Sequence, residues 1–259
     1  MQDQQMTSPN NHRTDYSDEI SLVDLAAIFI RRRRAFYAVF VAITLAGLAY
    51  ALLTPNEYQY VSLVQVAQKD GGTFVQPPTT AIATLENRWL PEAQSAYRAE
   101  HDKKMPFDVS FSNPEDTGLI QFNSSTTAEN SKSVKAVHEA LIAKVADSQG
   151  RLVKVEQASL ESQIQSLGRT VDLLKGEKDA GEAIASAIEN RSKLELQLVG
   201  LDDVELLVTS RQSAEKIAPK RSLIMALAVL LGLMIGVLVT FMSEFASSVR
   251  DRLASDGAQ

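Results

Sequence analysis

RRRRAFYAVFVAITLAGLAYALL at residues 31–53 and SLIMALAVLLGLMIGVLVTFMS at residues 222–243 decide how this chain is organised. The first runs without a charge from Ala35 to Leu53, and the second is uncharged from Ser222 to Ser243. At a rise of roughly 1.5 Å per residue, helices of about 19 and about 22 residues reach about 28 and 33 Å, matching a bilayer hydrocarbon core of roughly 30 Å. Both stretches are therefore expected to span a membrane, with nearly everything that can fold as a domain lying between them.

The flanks orient the pair. Arg31, Arg32, Arg33 and Arg34 directly precede the first span, and basic clusters beside a first span hold that end in the cytoplasm. Two crossings return the C-terminus to the same side. Lys220 and Arg221 beside the second span follow a segment too long for the positive-inside count to govern. The expected division is a cytoplasmic tail and short amphipathic helix over 1–34, a first span over 35–53, a periplasmic domain over 54–221, a second span over 222–243 and a cytoplasmic tail over 244–259. A cleaved export signal is the competing reading of the first stretch, since Arg33, Arg34, Ala35 and Phe36 resemble a twin-arginine pattern and Ala49, Tyr50, Ala51 a small-x-small site. The apolar run is longer than a signal's usual 7–15 residues and follows a long leader.

Composition narrows the function classes. The formal net charge is −6, which gives no sign of nucleic-acid binding, and the absence of cysteine excludes disulfides, thiolate metal sites and cysteine nucleophiles. The hydrophobic fraction of 45% is ordinary for a globular chain, but much of it falls in the two spans, leaving the middle more polar.

Residues 1–16 are polar and expected to be disordered. Ser21 and Asp24, in a capping-box-like arrangement, start a short helix before the first span. Beyond Pro55, the rough alternation of Glu57 to Gln68 suits a strand leaving the membrane, and Gly71 to Pro78 a loop. Thr80 to Glu100 suits a helix interrupted at Pro91, and Phe107 to Ser112 with Leu119 to Ser124 a hairpin. From Ala128, Val134, Val137, Leu141 and Val145 recur at helical steps. A second helix, about 151–175, repeats Val153, Leu160, Leu167 and Leu174 every seven residues, with Ile164 and Val171 between them. So narrow a stripe needs a partner, either the preceding helix or a neighbouring subunit. Gly176 and Gly181 mark a turn, after which a helix returns toward the membrane and Val204 to Thr209 forms a last strand able to pair with the first. The fold class is α+β, with a small membrane-proximal sheet and extended helices.

Few residues point to chemistry. Gly176 and Gly181 have the spacing that opens a phosphate loop, but Glu182 and Ala183 replace the required Lys and Ser or Thr. His12, His101 and His138 are far apart and lack neighbouring ligands, and Glu115, Asp116, Asp202 and Asp203 suit solvated turns. No catalytic, metal or cofactor residue is expected. The second span is more informative. Ala228, Gly232, Gly236 and Thr240 form a small-xxx-small face suited to close helix packing and oligomerisation, and Ala38, Ala42 and Ala46 fall at the same interval in the first.

Asp18-Glu19-Ile20-Ser21-Leu22, the Arg-flanked first span, the external strand-and-helix segment, and Ala218-Pro219-Lys220-Arg221 entering a glycine-bearing second span together resemble the Wzz polysaccharide co-polymerases, chain-length determinants of bacterial surface polysaccharide. Pro219 and Lys220 are the entry motif of that resemblance. Family members commonly carry more prolines before the second span and a longer helical arm. The resemblance implies a non-enzymatic inner-membrane homo-oligomer without cofactors. It would act with a membrane polysaccharide polymerase of the Wzy type on a growing lipid-linked polymer, in contact with membrane lipid, to set the length of O-antigen or a related chain. The alternatives are an accessory subunit of an envelope export machine and a two-span periplasmic ligand sensor, the latter with little room after Ser243 for an output domain.

Overall fold

The computed structural model describes residues 29–69, 72–177 and 179–256. The expected helix around Ser21 and Asp24 lies outside them, as does His12. The described residues form two compact units, one made of those up to Thr54 together with those from Lys220 onward, the other of those within Pro55–Pro219.

The first unit pairs α1 (Arg33–Leu53) with α6 (Arg221–Asp256). Both are long and apolar enough to cross a membrane, by length and composition. The second helix does not stop at Ser243. It runs on to Asp256, and its 36 residues extend about 54 Å, well beyond a hydrocarbon core of roughly 30 Å. Nothing between Ser243 and Asp256 breaks a helix, since neither Pro nor Gly occurs there.

The second unit is an antiparallel four-stranded sheet with helices on one face. Its strands are β1 (Glu57–Gln65), β2 (Val109–Ser112), β3 (Leu119–Thr127) and β4 (Glu205–Gln212), ordered β2-β3-β1-β4. β1 pairs with β3 from Glu57 opposite Thr127 to Gln65 opposite Leu119, and with β4 along its other edge. The early and late strands thus meet, as the sequence reading expects.

Alternation decides which face is buried. Tyr60, Ser62 and Val64 of β1, Ile120, Phe122, Ser124 and Thr126 of β3, and Val109 and Phe111 of β2 point into the core. On the opposite face the Gln59 and Gln121 amides both donate to Asn123 Oδ1, at 3.1 and 2.8 Å. The core is closed by α2 (Pro78–Thr84), α3 (Leu90–His101) and the first half of α4 (Ser131–Leu174). Val134, Val137, Leu141, Ile142 and Val145 supply the buried face of α4, and Ala81, Leu85 and Trp89 the other layer.

Between α2 and α3 the helix widens into a π turn over Leu85–Trp89, where the Leu90 N–H donates to the Leu85 carbonyl. Pro91 follows at once. Its ring cannot coexist with an ordinary preceding turn and it has no N–H to give, so the ladder loosens while the helix continues to His101.

The largest departure from the sequence reading is α4. Two helices are expected from Ala128 onward, but one 44-residue helix of about 66 Å runs from Ser131 to Leu174. Gly150 costs only about 1 kcal/mol in a helix interior, too little to stop one flanked by good formers. The heptad stripe therefore cannot pack on a preceding helix. It packs on the following one, α5 (Gly181–Val199). The turn between them uses Gly176 at φ +103°, a conformation glycine adopts without steric cost.

Candidate functional site

The residues that the sequence singles out lie on packing surfaces. On α6, the small residues each face α1 of the same chain. A Cβ placed on Gly236 would lie 2.9 Å from the Phe36 ring, and one on Gly232 would lie 3.1 Å from the Phe40 ring and 3.3 Å from the Phe40 carbonyl oxygen. Phe36 and Phe40 are stacked at 5.9 Å, one turn apart, so two rings rest over two glycines. Ala228 meets Gly47, where a Cβ would collide with the alanine methyl. Thr240 is fully buried, and its hydroxyl donates to the Gly236 carbonyl at 2.7 Å.

The stripe Ala228, Gly232, Gly236 and Thr240 is thus used within the hairpin. The matching alanine face of α1 is not: Ala38, Ala42 and Ala46 are exposed, because the bulky face of α1 fills the groove of small residues on α6. At the N-terminal end of α1, Glu244 accepts from Arg32 Nε at 2.9 Å and approaches Arg31 Nη2 at 3.3 Å. The sequence reading missed this carboxylate, which is the first acid after the second apolar run.

Lys220, the second residue of the Pro219–Lys220 pair, directly precedes α6. The Lys220 carbonyl accepts from the N–H groups of Leu223 and Ile224 and so opens the helix. Within the second unit, Ala218 is joined to Glu57 by backbone hydrogen bonds, the Glu57 N–H to the Ala218 carbonyl at 2.9 Å and the Ile217 N–H to the Glu57 carbonyl at 2.9 Å.

The α4–α5 hairpin carries the heptad residues in graded burial. Val153 and Leu160 are buried, while Ile164, Leu167, Val171 and Leu174 are half-buried against the α5 face containing Ile184, Ala187, Leu194 and Leu198. The rest of the hairpin keeps apolar side chains in the open: Val155, Leu173, Ile188, Leu196 and Val199 are all more than half exposed. A two-helix hairpin with such a surface has more apolar area than it can bury by itself.

The histidines separate by burial. His101 is exposed and stacks on Tyr97 at 4.2 Å. His138 is fully buried, with Nδ1 2.8 Å from the Ser62 hydroxyl and Nε2 3.0 Å from the Ser124 hydroxyl. Ser62 also accepts from the Ser210 N–H at 2.8 Å, so one polar chain joins α4 to β1, β3 and β4. Burial lowers the His138 pKa to about 4, keeping the ring neutral. Its signal in the sequence was helical phase, since it falls between Val137 and Leu141 on the buried stripe. Nearby, the Gln149 side-chain carbonyl accepts from the Ala67 N–H at 2.7 Å, tying α4 to the end of β1. Glu115, Asp116, Asp202 and Asp203 are exposed, and among the described residues no cluster of three His, Cys, Asp or Glu could hold a metal ion.

A family model described as Wzz, chain length determinant protein, matches residues 18–99. The resemblance is to Wzz. The matched part of the chain carries the arginine cluster, α1, β1 and the α2–α3 layer, while the α4–α5 hairpin, β4 and α6 lie beyond it. The chain is also similar to a solved structure titled "full-length bacterial polysaccharide co-polymerase", with 13% identity, a TM-score of 0.43, and coverage of 88% of this chain and 99% of that one. No curated protein matches.

Proposed function

We propose that this protein is a non-enzymatic regulator of surface-polysaccharide chain length. On this reading it is anchored in the bacterial inner membrane by α1 and α6, with both termini cytoplasmic and residues 55–219 in the periplasm. The observation that carries the proposal is the match of residues 18–99 to the Wzz family. Physical support comes from two apolar helices that bracket a separate α+β unit, and from a helical hairpin with apolar residues left exposed.

The working form is a homo-oligomer, for which closed symmetry is the usual arrangement. Because the small-residue face of α6 is occupied by Phe36 and Phe40 of its own chain, the exposed side chains of the α4–α5 hairpin are the better candidates for contact between copies. The partners are a membrane polysaccharide polymerase of the Wzy type and the growing lipid-linked polymer, O-antigen or a related chain.

Deleting the gene and separating the surface polysaccharide on a gel tests the function. Loss of a preferred length is expected. An unchanged ladder would favour an accessory subunit of an export machine. Orientation is tested by single introduced cysteines, since the native chain has none. A cysteine at Ser110 should react with an impermeant maleimide from the periplasmic side, and one at Ser248 should not.

A further inference from the structure

The paired ends of α1 and α6 enclose a cleft of about 320 Å³ lined by Arg32, Ser243, Ala246, Ser247 and Arg250. Ser243, Ser247 and Arg250 recur at helical spacing along one stripe of α6. Arg32 completes the cleft from the other chain end. Its Nε is held by Glu244 at 2.9 Å, and the Glu244 side chain is only 13% exposed. That bond fixes the guanidinium plane and leaves its Nη groups to donate elsewhere, as the five N–H groups of an arginine allow. Glu244 offsets one positive charge, but Arg31, Arg32 and Arg250 together leave an excess. Among the described residues, neither the Ser243 nor the Ser247 hydroxyl is engaged. The Arg250 guanidinium, the Nη groups of Arg32 and two hydroxyls around a small alanine exceed what the Glu244 carboxylate accepts, which is the chemistry of a phosphate site.

The surroundings choose the source of that phosphate. Met242, Phe245 and Val249 on α6, and Ile30 before α1, expose 57%, 65%, 39% and 65% of their surface beside the cleft. Polar donors bordered by an apolar stripe at the end of a membrane-length helix pair suit a headgroup with acyl chains attached. A free anion would make no use of the apolar part.

We propose that Arg32, Ser243, Ser247 and Arg250 bind the phosphate of an anionic phospholipid at the membrane boundary. This inference rests on the membrane reading above. A bound lipid would link the chain ends through contacts present only when the hairpin is paired, favouring the paired state by the mass action of the surrounding bilayer.

The test uses the full chain in nanodiscs containing equal phosphatidylglycerol and phosphatidylcholine, released for native mass spectrometry. The native protein should retain phosphatidylglycerol in preference to phosphatidylcholine. Arg250→Gln should reduce that preference by about tenfold, the effect of losing one charge-assisted partner. Ala246→Phe, which fills the cleft without changing charge, should do the same, whereas Arg33→Gln, which removes an equal charge outside the cleft, should leave it unchanged. Equal retention of both lipids by the native protein, equal losses in Arg33→Gln and Arg250→Gln, or an unaltered preference in Arg250→Gln and Ala246→Phe would each overturn the proposal. Displacement of the lipid by millimolar inorganic phosphate would overturn its lipid source. A chain that does not enter nanodiscs would remove the membrane reading and the site together; a chain that enters them without lipid preference removes the site alone.

Discussion

Acidification should weaken the central unit through His138. The ring is buried between Ser62 and Ser124, and its pKa falls from the ordinary 6.5 to about 4. Between those values the unfolded chain binds the proton and the folded chain does not, so stability falls as pH drops from about 6.5 and levels off below about 4. One pKa unit corresponds to about 1.4 kcal/mol, which gives a total loss of about 3 kcal/mol, of which about 2 kcal/mol is reached by pH 5. Other groups titrate in this range as well, so the informative quantity is the difference between the native protein and His138→Gln, which cannot titrate. The assay is equilibrium urea unfolding of the full chain in detergent, followed by the fluorescence of Trp89, the single tryptophan, buried in the core under study. The native protein should lose about 2 kcal/mol more than His138→Gln between pH 7 and pH 5. Equal losses would refute the assignment of this pH dependence to His138.

Three further outcomes follow from the packing. Leu141→Ala removes a fully buried side chain from the α4 face of the core and should cost about 2–5 kcal/mol in the same Trp89 assay. Gly236→Leu forces a side chain against the Phe36 ring and should destabilise the α1–α6 pair by about 1–3 kcal/mol, read as faster proteolysis within the hairpin in nanodiscs; an unchanged rate would show that the rings over the glycines do not hold the pair. Leu196→Ser with Val199→Ser, on exposed positions of α5, should change stability by less than about 0.5 kcal/mol yet shift the mass of the detergent-solubilised complex toward monomer, which a purely intramolecular hairpin would not do.

Much of this architecture is legible in the sequence alone. Hydrophobic runs of membrane length and period-two alternation are local signals, and they located α1, the start of α6, β1, the β2–β3 hairpin and the pairing of β4 with β1. Pro91 announced the loosened turn beside Trp89, although not that it would take a π form. What escaped the sequence depended on partners distant along the chain. Nothing local states that α4 continues through Gly150, because the cost of one glycine is small against the packing on both halves of the helix. The stripe of Gly232 and Gly236 was legible as a packing face, but whether Phe36 and Phe40 or a second copy would fill it is a tertiary question. The same holds for Glu244. It is an unremarkable acid in the sequence, and only the pairing of chain ends brings it to Arg31 and Arg32. His138 likewise looked like an isolated histidine until the strands placed a serine on each ring nitrogen.

The central claim is that this chain sets polymer length, and complementation measures it directly. In a strain lacking the gene, the gel profile of the surface polysaccharide should be a ladder decaying without a preferred length. Restoring the native gene should return a discrete modal band, and restoring a form carrying Leu196→Ser and Val199→Ser should return a broader one. A native copy that leaves the decaying ladder unchanged, while accumulating in the membrane at normal levels, would contradict the account.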